Sequence, residues 1–383
     1  MNYIKKFEQL FAEKYQMRQS FSFWKGRVAM YAILKALGIG PGHEVILPGY
    51  TCVMNVNPIK YLGAKSVYVD IEPLTYNINV NLLEEKITRN TKAIIAQHTY
   101  GYPCEMDSIM DIAARHGIPV IEDCCLALGS TYKGKLCGSF GKAAYFSFQW
   151  NKPLTTGIGG LAITNETHLA DKISEICEQE MNKPSFKAAA MLSAQRLVYR
   201  IFIYPRTTAI ATNLFRWLTK KGLVIGSSSI CEFMPEMTED FFMSMSGSQA
   251  QAGLRQLRNL DSNIAHRRIM RIIYDKLLDE SGYNISKVPE FMDPVLVRYP
   301  IRVNNKEKAI EEAPIHGVEI GSWFECPLHP AETPMHLYDY QEGMCPVSER
   351  ACREVVNLPL HPRVSEKTVR RTIEFIARFI PVS

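Results

Sequence analysis

Phe146-Ser147-Phe148-Gln149-Trp150-Asn151-Lys152-Pro153-Leu154-Thr155-Thr156-Gly157-Ile158-Gly159-Gly160 is the stretch on which the reading of this chain turns. An aromatic-rich strand ends in a turn, presents one lysine, and passes through glycines into the next apolar run, Leu161-Ala162-Ile163. A lone lysine in a loop is ordinarily a solvated charge. The surroundings of Lys152 set it apart.

Upstream, Ile118-Pro119-Val120-Ile121-Glu122-Asp123 reads as a short buried strand ending in acids. In an open α/β sheet, ligands bind outside the carboxyl ends of the strands, so Asp123, Ser147 and Lys152 are expected around one crevice. A lysine for a Schiff base, an acid to keep a pyridinium nitrogen protonated and a glycine-rich neighbourhood for a phosphate together describe a pyridoxal 5'-phosphate site.

Working outward, Met30, Ile33, Leu34 and Leu37 form an i, i+3, i+4, i+7 stripe after Gly26, and Gly38 ends that helix. Its N-terminus offers backbone N–H groups and a positive dipole end to a phosphate. Strand and helix then alternate: Glu44–Leu47, Val53 to Leu62, Ser66–Asp70, Lys92–Ala96, Met106 to Ala114, and the Asp123 strand. Repeated βα units imply a mostly parallel sheet covered on both faces. A long helix after Asp261, short strands around "LVRYPIRV" and a final helix from Ser365 to Phe379 read as a smaller second unit.

At 383 residues the chain is long enough for two domains. A net charge of +5 without a clustered basic stripe argues against nucleic acid. The ten cysteines include no CxxC pair and no zinc-like spacing with histidine, so no metal is expected. The start of the chain lacks an apolar secretory segment, which points to free thiols in a reducing cytoplasm. Residues 187–225 are apolar but interspersed with Arg196, Arg200, Arg206, Arg216, Lys220 and Lys221, too interrupted to span a bilayer. The segment reads as a packing or dimer element, or as a basic amphipathic hairpin in weak contact with a membrane surface.

Five pieces in order, "ALGIGPGHEVILPGYT", "GAKSVYVDIEPLTYNI", "TKAIIAQHTYGYPCEMDSI", "HGIPVIEDCCLALGSTYKGKLCGSFG" and the lysine stretch, resemble the DegT/StrS-type sugar-nucleotide aminotransferases. These are fold type I pyridoxal phosphate enzymes. The resemblance implies an α/β three-layer large domain with a mostly parallel sheet, followed by a smaller α+β C-terminal domain. It divides the chain into an N-terminal arm (1–25), a cofactor-binding large domain (26–262) and a small domain (263–383). It further implies that Lys152 bonds the cofactor and then shuttles protons, that Asp123 pairs with the pyridinium nitrogen, and that Ser147 with the Gly26-Arg27-Val28 helix start binds phosphate. An amino-acid donor, usually glutamate, and a nucleotide-linked ketosugar are the implied substrates, and a homodimer the implied assembly.

Several positions depart from the family pattern. Arg27 stands where a small hydroxyl residue is usual, and either contacts the phosphate or points to solvent. Cys52 replaces an aromatic residue that commonly stacks on the cofactor, so either Tyr50 leans in or the stack is lost. Leu126 stands where many members carry glutamine near the phenolic oxygen, and Ile158 replaces the usual acid of the glycine loop. Phe242 falls where the family lends an asparagine to the partner subunit's phosphate. Lys152 and Asp123 are retained, and the lysine-to-histidine exchange of the family's dehydratases is absent. His98, at a strand end, is expected to approach the cofactor or substrate, whereas His329 and His361 read as turn or packing residues. The alternatives are a pyridoxal phosphate enzyme acting on an amino acid and a regulatory or non-catalytic relative.

Overall fold

The structure is a computed structural model that describes residues 2–199, 226, 230–283, 285 and 287–380. Most of the 187–225 segment therefore lies outside the described residues. Its described beginning belongs to the helix Phe186–Val198, whose Phe186 and Leu197 are largely exposed.

Seven strands form the central sheet: β1 (Gln19–Phe23), β2 (Glu44–Pro48), β3 (Lys65–Val69), β4 (Thr91–Gln97), β5 (Val120–Asp123), β6 (Ala143–Ser147) and β7 (Gly160–Thr164). Their spatial order is β1-β7-β6-β5-β4-β2-β3. The pairs from β3 through β6 are parallel, and β7 runs against both neighbours. The near-continuous burial of β2, β4, β5 and β7 follows from this, because helices cover both faces of a parallel sheet. The expected α/β class with a mostly parallel sheet is observed.

Helix α1 (Tyr3–Tyr15), capped by Asn2, buries Phe7, Phe11 and Tyr15 at helical spacing. Those rings meet Phe146 and Phe148 edge-on at 4.9–5.5 Å, so the opening residues pack directly behind the strand that leads to Lys152. Helix α2 (Gly26–Ala36) buries nearly all its residues in the core between sheet and helices. A separate apolar cluster joins the long helix Leu260–Glu280, the antiparallel strands Arg298–Arg302 and Val355–Pro359, and the helix Glu366–Ile376. It is linked back to the sheet by a short parallel pair in which Leu328 and His329 align with Thr51 and Cys52.

Candidate active site

The carboxyl ends of β4, β5 and β6, the end of β1 and the start of β7 share one edge of the sheet, and α2 begins there. Three backbones converge tightly at this point. A Cβ on Gly26 would lie 2.9 Å from the Ser147 Cβ, and a Cβ on Gly160 would lie 2.3 Å from the Lys25 carbonyl oxygen. Gly160 is also the register partner of Ser147. Only glycines let the helix start descend onto the strand ends. The result is an α2 N-terminus beside the half-buried Ser147, and its N-cap residue, Lys25, makes no side-chain capping bond. Helix N–H groups and a neighbouring hydroxyl make a cradle for an anion.

Asp123, at the end of β5, is almost wholly buried. One carboxylate oxygen accepts the Cys125 N–H at 2.8 Å, and the other accepts the Asn55 side-chain amide at 2.6 Å. Asn55, in helix α3 (Val53–Tyr61), also donates to Gln97 at 3.1 Å, and its oxygen accepts the Tyr145 hydroxyl at 3.3 Å. With donors already on both oxygens, the Asp123 carboxylate is oriented to accept a further N–H.

Lys152 sits in a turn that closes on itself after β6. Phe148 N–H donates to Gly159 O at 2.9 Å, Thr156 N–H to Phe148 O at 3.0 Å, and Lys152 N–H to Gln149 O at 3.0 Å. Burial pushes the Lys152 amine below the ordinary lysine value; nearby Cys125, Asp123 and Cys52 pull it back up, while Arg267 adds to the depression. Burial raises the Cys125 and Cys52 thiols, so both remain neutral at ordinary pH. The Lys152 Nζ lies 5.5 Å from the centroid of the Trp323 ring, which caps this side of the site. From below, Asn263 donates to Pro153 O at 2.7 Å and accepts from the buried Arg267 at 2.9 Å, fixing the turn to the long helix.

Several expected residues go elsewhere. Arg27 does not point to solvent: it is buried, with Nη1 3.5 Å from Glu232. Val28 has its N–H bonded to Lys25 O at 3.2 Å and its side chain in the core. Tyr50 is wholly buried in an aromatic cluster, its ring 4.9 Å from Phe324 and its hydroxyl 2.8 Å from that of Tyr100. Half-buried Cys52 and nearly buried Leu126 flank the site with side chains that supply no strong hydrogen bond. Phe242 packs against Tyr31 and Phe23, and Ile158 against Trp24 and Trp150, in apolar settings. His98 does not reach the crevice. Its Nε2 meets Glu122 at 3.1 Å, and Glu122 and Asp123, adjacent in β5, project to opposite faces of the sheet.

Asn55, Trp323, Asn263, Arg267 and Glu232 were not singled out from the sequence. Asn55 left one faint mark there, a polar residue inside the apolar run Val53-Met54-Asn55-Val56.

The model of the DegT/DnrJ/EryC1/StrS aminotransferase family matches residues 1–197 and 228–377. This chain belongs to that family. Among its relatives, the GDP-perosamine synthase of Escherichia coli O157:H7 is 31% identical over 99% of this chain and 90% of its own. The UDP-2-acetamido-2-deoxy-3-oxo-D-glucuronate aminotransferase of Pseudomonas aeruginosa (strain PAO1) is 30% identical over 90% and 82%. The X-ray structure of the aminotransferase from Psychrobacter cryohalolentis superposes with a TM-score of 0.75 at 25% identity, covering 98% of this chain and 90% of the other. As a member of this family, the chain is a pyridoxal phosphate-dependent aminotransferase. The residues present fit that cofactor: an anion cradle that a Cβ at Gly26 would fill, a buried carboxylate ready to accept an N–H, and a lysine amine of depressed basicity. Among the described residues, no helix is long and apolar enough to cross a membrane.

Proposed function

We propose that this aminotransferase moves an amino group from an amino acid, glutamate first among candidates, to the keto carbon of a nucleotide-linked sugar during polysaccharide assembly. The observation that carries the reading is the placement of Lys152, Asp123 and the Gly26–Ser147 cradle at one sheet edge, in a chain whose relatives are named for GDP- and UDP-linked sugars. Bound pyridoxal phosphate supplies the aldehyde that carries the amino group and the ring that draws off electrons.

The protein's residues divide the remaining work. Ser147 and the start of α2 anchor the phosphate, with Gly26 giving the close approach. Asp123, held by Asn55 and the Cys125 N–H, would hold the cofactor at its ring nitrogen and favour the protonated form there. The Lys152 amine, whose basicity burial depresses, would pass the proton between the substrate carbon and the carrier as general base and then general acid. Trp323 holds its ring within cation–π reach of the amine, 5.5 Å from Nζ to the centroid. Donor and acceptor would react in turn at this one site, so ping-pong kinetics are expected.

Residues 26–262 then act as the cofactor-binding domain and 263–383 as the small domain, a division supported by the separate C-terminal apolar cluster. The protein works in the cytoplasm as a homodimer. The deciding experiment is absorbance of purified protein loaded with pyridoxal phosphate, followed by a panel of nucleotide-linked ketosugars scored by mass for amine gain. The expected result is a visible band that bleaches with glutamate and returns with one such sugar. A band that no amino acid bleaches overturns the reading in favour of a regulatory cofactor-binding protein.

A further inference from the structure

The Trp323 ring reaches Lys152 from residues 322–324, which belong to no helix or strand, yet side chains take every backbone polar group of Trp323 and Phe324. The wholly buried Asn357 lies in the strand Val355–Pro359. Its Oδ1 accepts the Trp323 N–H at 2.8 Å, and its Nδ2 donates to the Trp323 carbonyl at 2.9 Å. The Tyr100 hydroxyl, just beyond the end of β4, donates to that same carbonyl at 2.5 Å and accepts from Asn357 at 3.2 Å. The Phe324 N–H donates to the Tyr50 hydroxyl at 3.4 Å, and the Phe324 carbonyl accepts from Lys306 at 2.8 Å.

One side-chain amide makes both bonds that a neighbouring strand would make to Trp323. The main-chain pair of Gly321 and Asn357, at 2.8 and 2.9 Å, lies two residues earlier, so the side chain carries the ladder on where the main chain does not. A buried network of this kind holds one arrangement, because leaving any member unpaired is costly. We propose that Asn357 is a positioning residue for amino transfer: it fixes the Trp323 backbone and thereby holds the indole ring beside the Lys152 amine. This rests on Lys152 being the reacting amine, as read above. A ring 5.5 Å from Nζ favours the charged amine, against burial, which disfavours it. Cys125, Asp123, Cys52 and Arg267 act on the same amine, and the substitutions below leave them in place. Arg298, paired with Glu319 at 3.3 Å, lies 5.8 Å from the same ring centroid.

The test follows the rate at which an acylating reagent labels Lys152 in the cofactor-free protein across pH, read by peptide mass. The midpoint of that profile reports the proton, and its plateau reports access. Trp323→Leu is expected to lower the midpoint by about half to one pH unit, the scale of one partly desolvated cation–π contact, and Trp323→Phe, which keeps a ring, by less. Asn357→Leu should lower it too, by no more than Trp323→Leu does. With Trp323→Leu already present, Asn357→Leu should add no further shift while still lowering the melting temperature, because the amide acts through the ring. Asn357→Ser carries the same comparison if Asn357→Leu does not fold. A midpoint that stays at the wild-type value or rises in Trp323→Leu or in the Asn357 variants, or a further shift in the double variant, overturns the proposal. Wild-type protein whose Lys152 is left unmodified by borohydride in the presence of pyridoxal phosphate would instead defeat the reading of the site itself.

Discussion

Asn55 donates its side-chain amide to the Asp123 carboxylate at 2.6 Å, across 68 positions of sequence. Its orientation is fixed from the other side, because its oxygen accepts the Tyr145 hydroxyl at 3.3 Å. Removing this donor takes one hydrogen bond from a buried carboxylate, worth about 1.5–3 kcal/mol. Asn55→Leu is therefore expected to slow the donor half-reaction roughly 10- to 100-fold. Asn55→Asp should be slower still, since two acids at this distance share a proton and Asp123 can no longer serve as a plain anion. Rapid-mixing absorbance with glutamate measures both rates; wild-type speed in Asn55→Leu would show that Asp123 needs no such partner.

Lys152 gives a prediction with a definite sign. Burial lowers its folded-state value beneath the ordinary one, so between the two the unfolded chain binds more protons than the native chain. The cost of holding a charged amine is present in full below the folded value and disappears as pH rises to the unfolded value. Lys152→Met removes that cost. The variant should exceed cofactor-free wild type in unfolding free energy at neutral pH, and the gap should close as pH climbs toward the lysine range. Urea unfolding of both proteins across that range measures the gap, and a gap independent of pH contradicts the assignment. Amino transfer by the variant should fall by about 10²–10⁴.

Lys152, Asp123 and Gly26 were legible because each is marked locally: a turn after an aromatic strand, acids closing an apolar strand, a glycine opening an amphipathic helix. The alternation of strand and helix gave the sheet for the same reason. Partners far apart in sequence left no such mark. Glu232 meets Lys25 across 207 positions, and Trp323 reaches Lys152 from beyond the long helix. The expectation for His98 failed on a different point, the face of the sheet taken by its partner Glu122. Strands of a covered parallel sheet are apolar throughout, so their sequence carries no alternation to show which face a polar residue takes. Glu122 and Asp123 are neighbours in the chain, yet a separate contact network lies on each side of the sheet.

Gly160 tests the close approach. An added methyl would sit 2.3 Å from the Lys25 carbonyl oxygen, and that neighbour is backbone, so the helix start must shift. Gly160→Ala is expected to cost at least the 1–3 kcal/mol typical of overpacking, about 2 kcal/mol or more, and to weaken cofactor uptake with it. Gly247→Ala is the control. Gly247 opens a helix with nothing within 4 Å of the added carbon, so that change should be neutral or slightly stabilising. Thermal melts and pyridoxal phosphate titrations of the two variants compare them directly, and equal behaviour would mean that the glycine crossing does not shape the cradle.

His98 separates packing from chemistry. Its Nδ1 accepts the Cys104 N–H at 3.0 Å, which places the ring hydrogen on Nε2, facing Glu122 at 3.1 Å. Glu122 in turn accepts N–H groups from Gly138, Phe140 and Gly141 at 2.6–2.7 Å, so it keeps strong donors when the imidazole is removed. His98→Ala should then cost about 2 kcal/mol, the scale of one buried polar partner lost, and lower the melting temperature. Because the pair lies on the face of the sheet away from Asp123 and Lys152, the folded variant should keep the wild-type cofactor spectrum and half-reaction rates. A variant that melts like wild type but no longer turns over glutamate would put His98 back in the active site and contradict the sheet-face assignment.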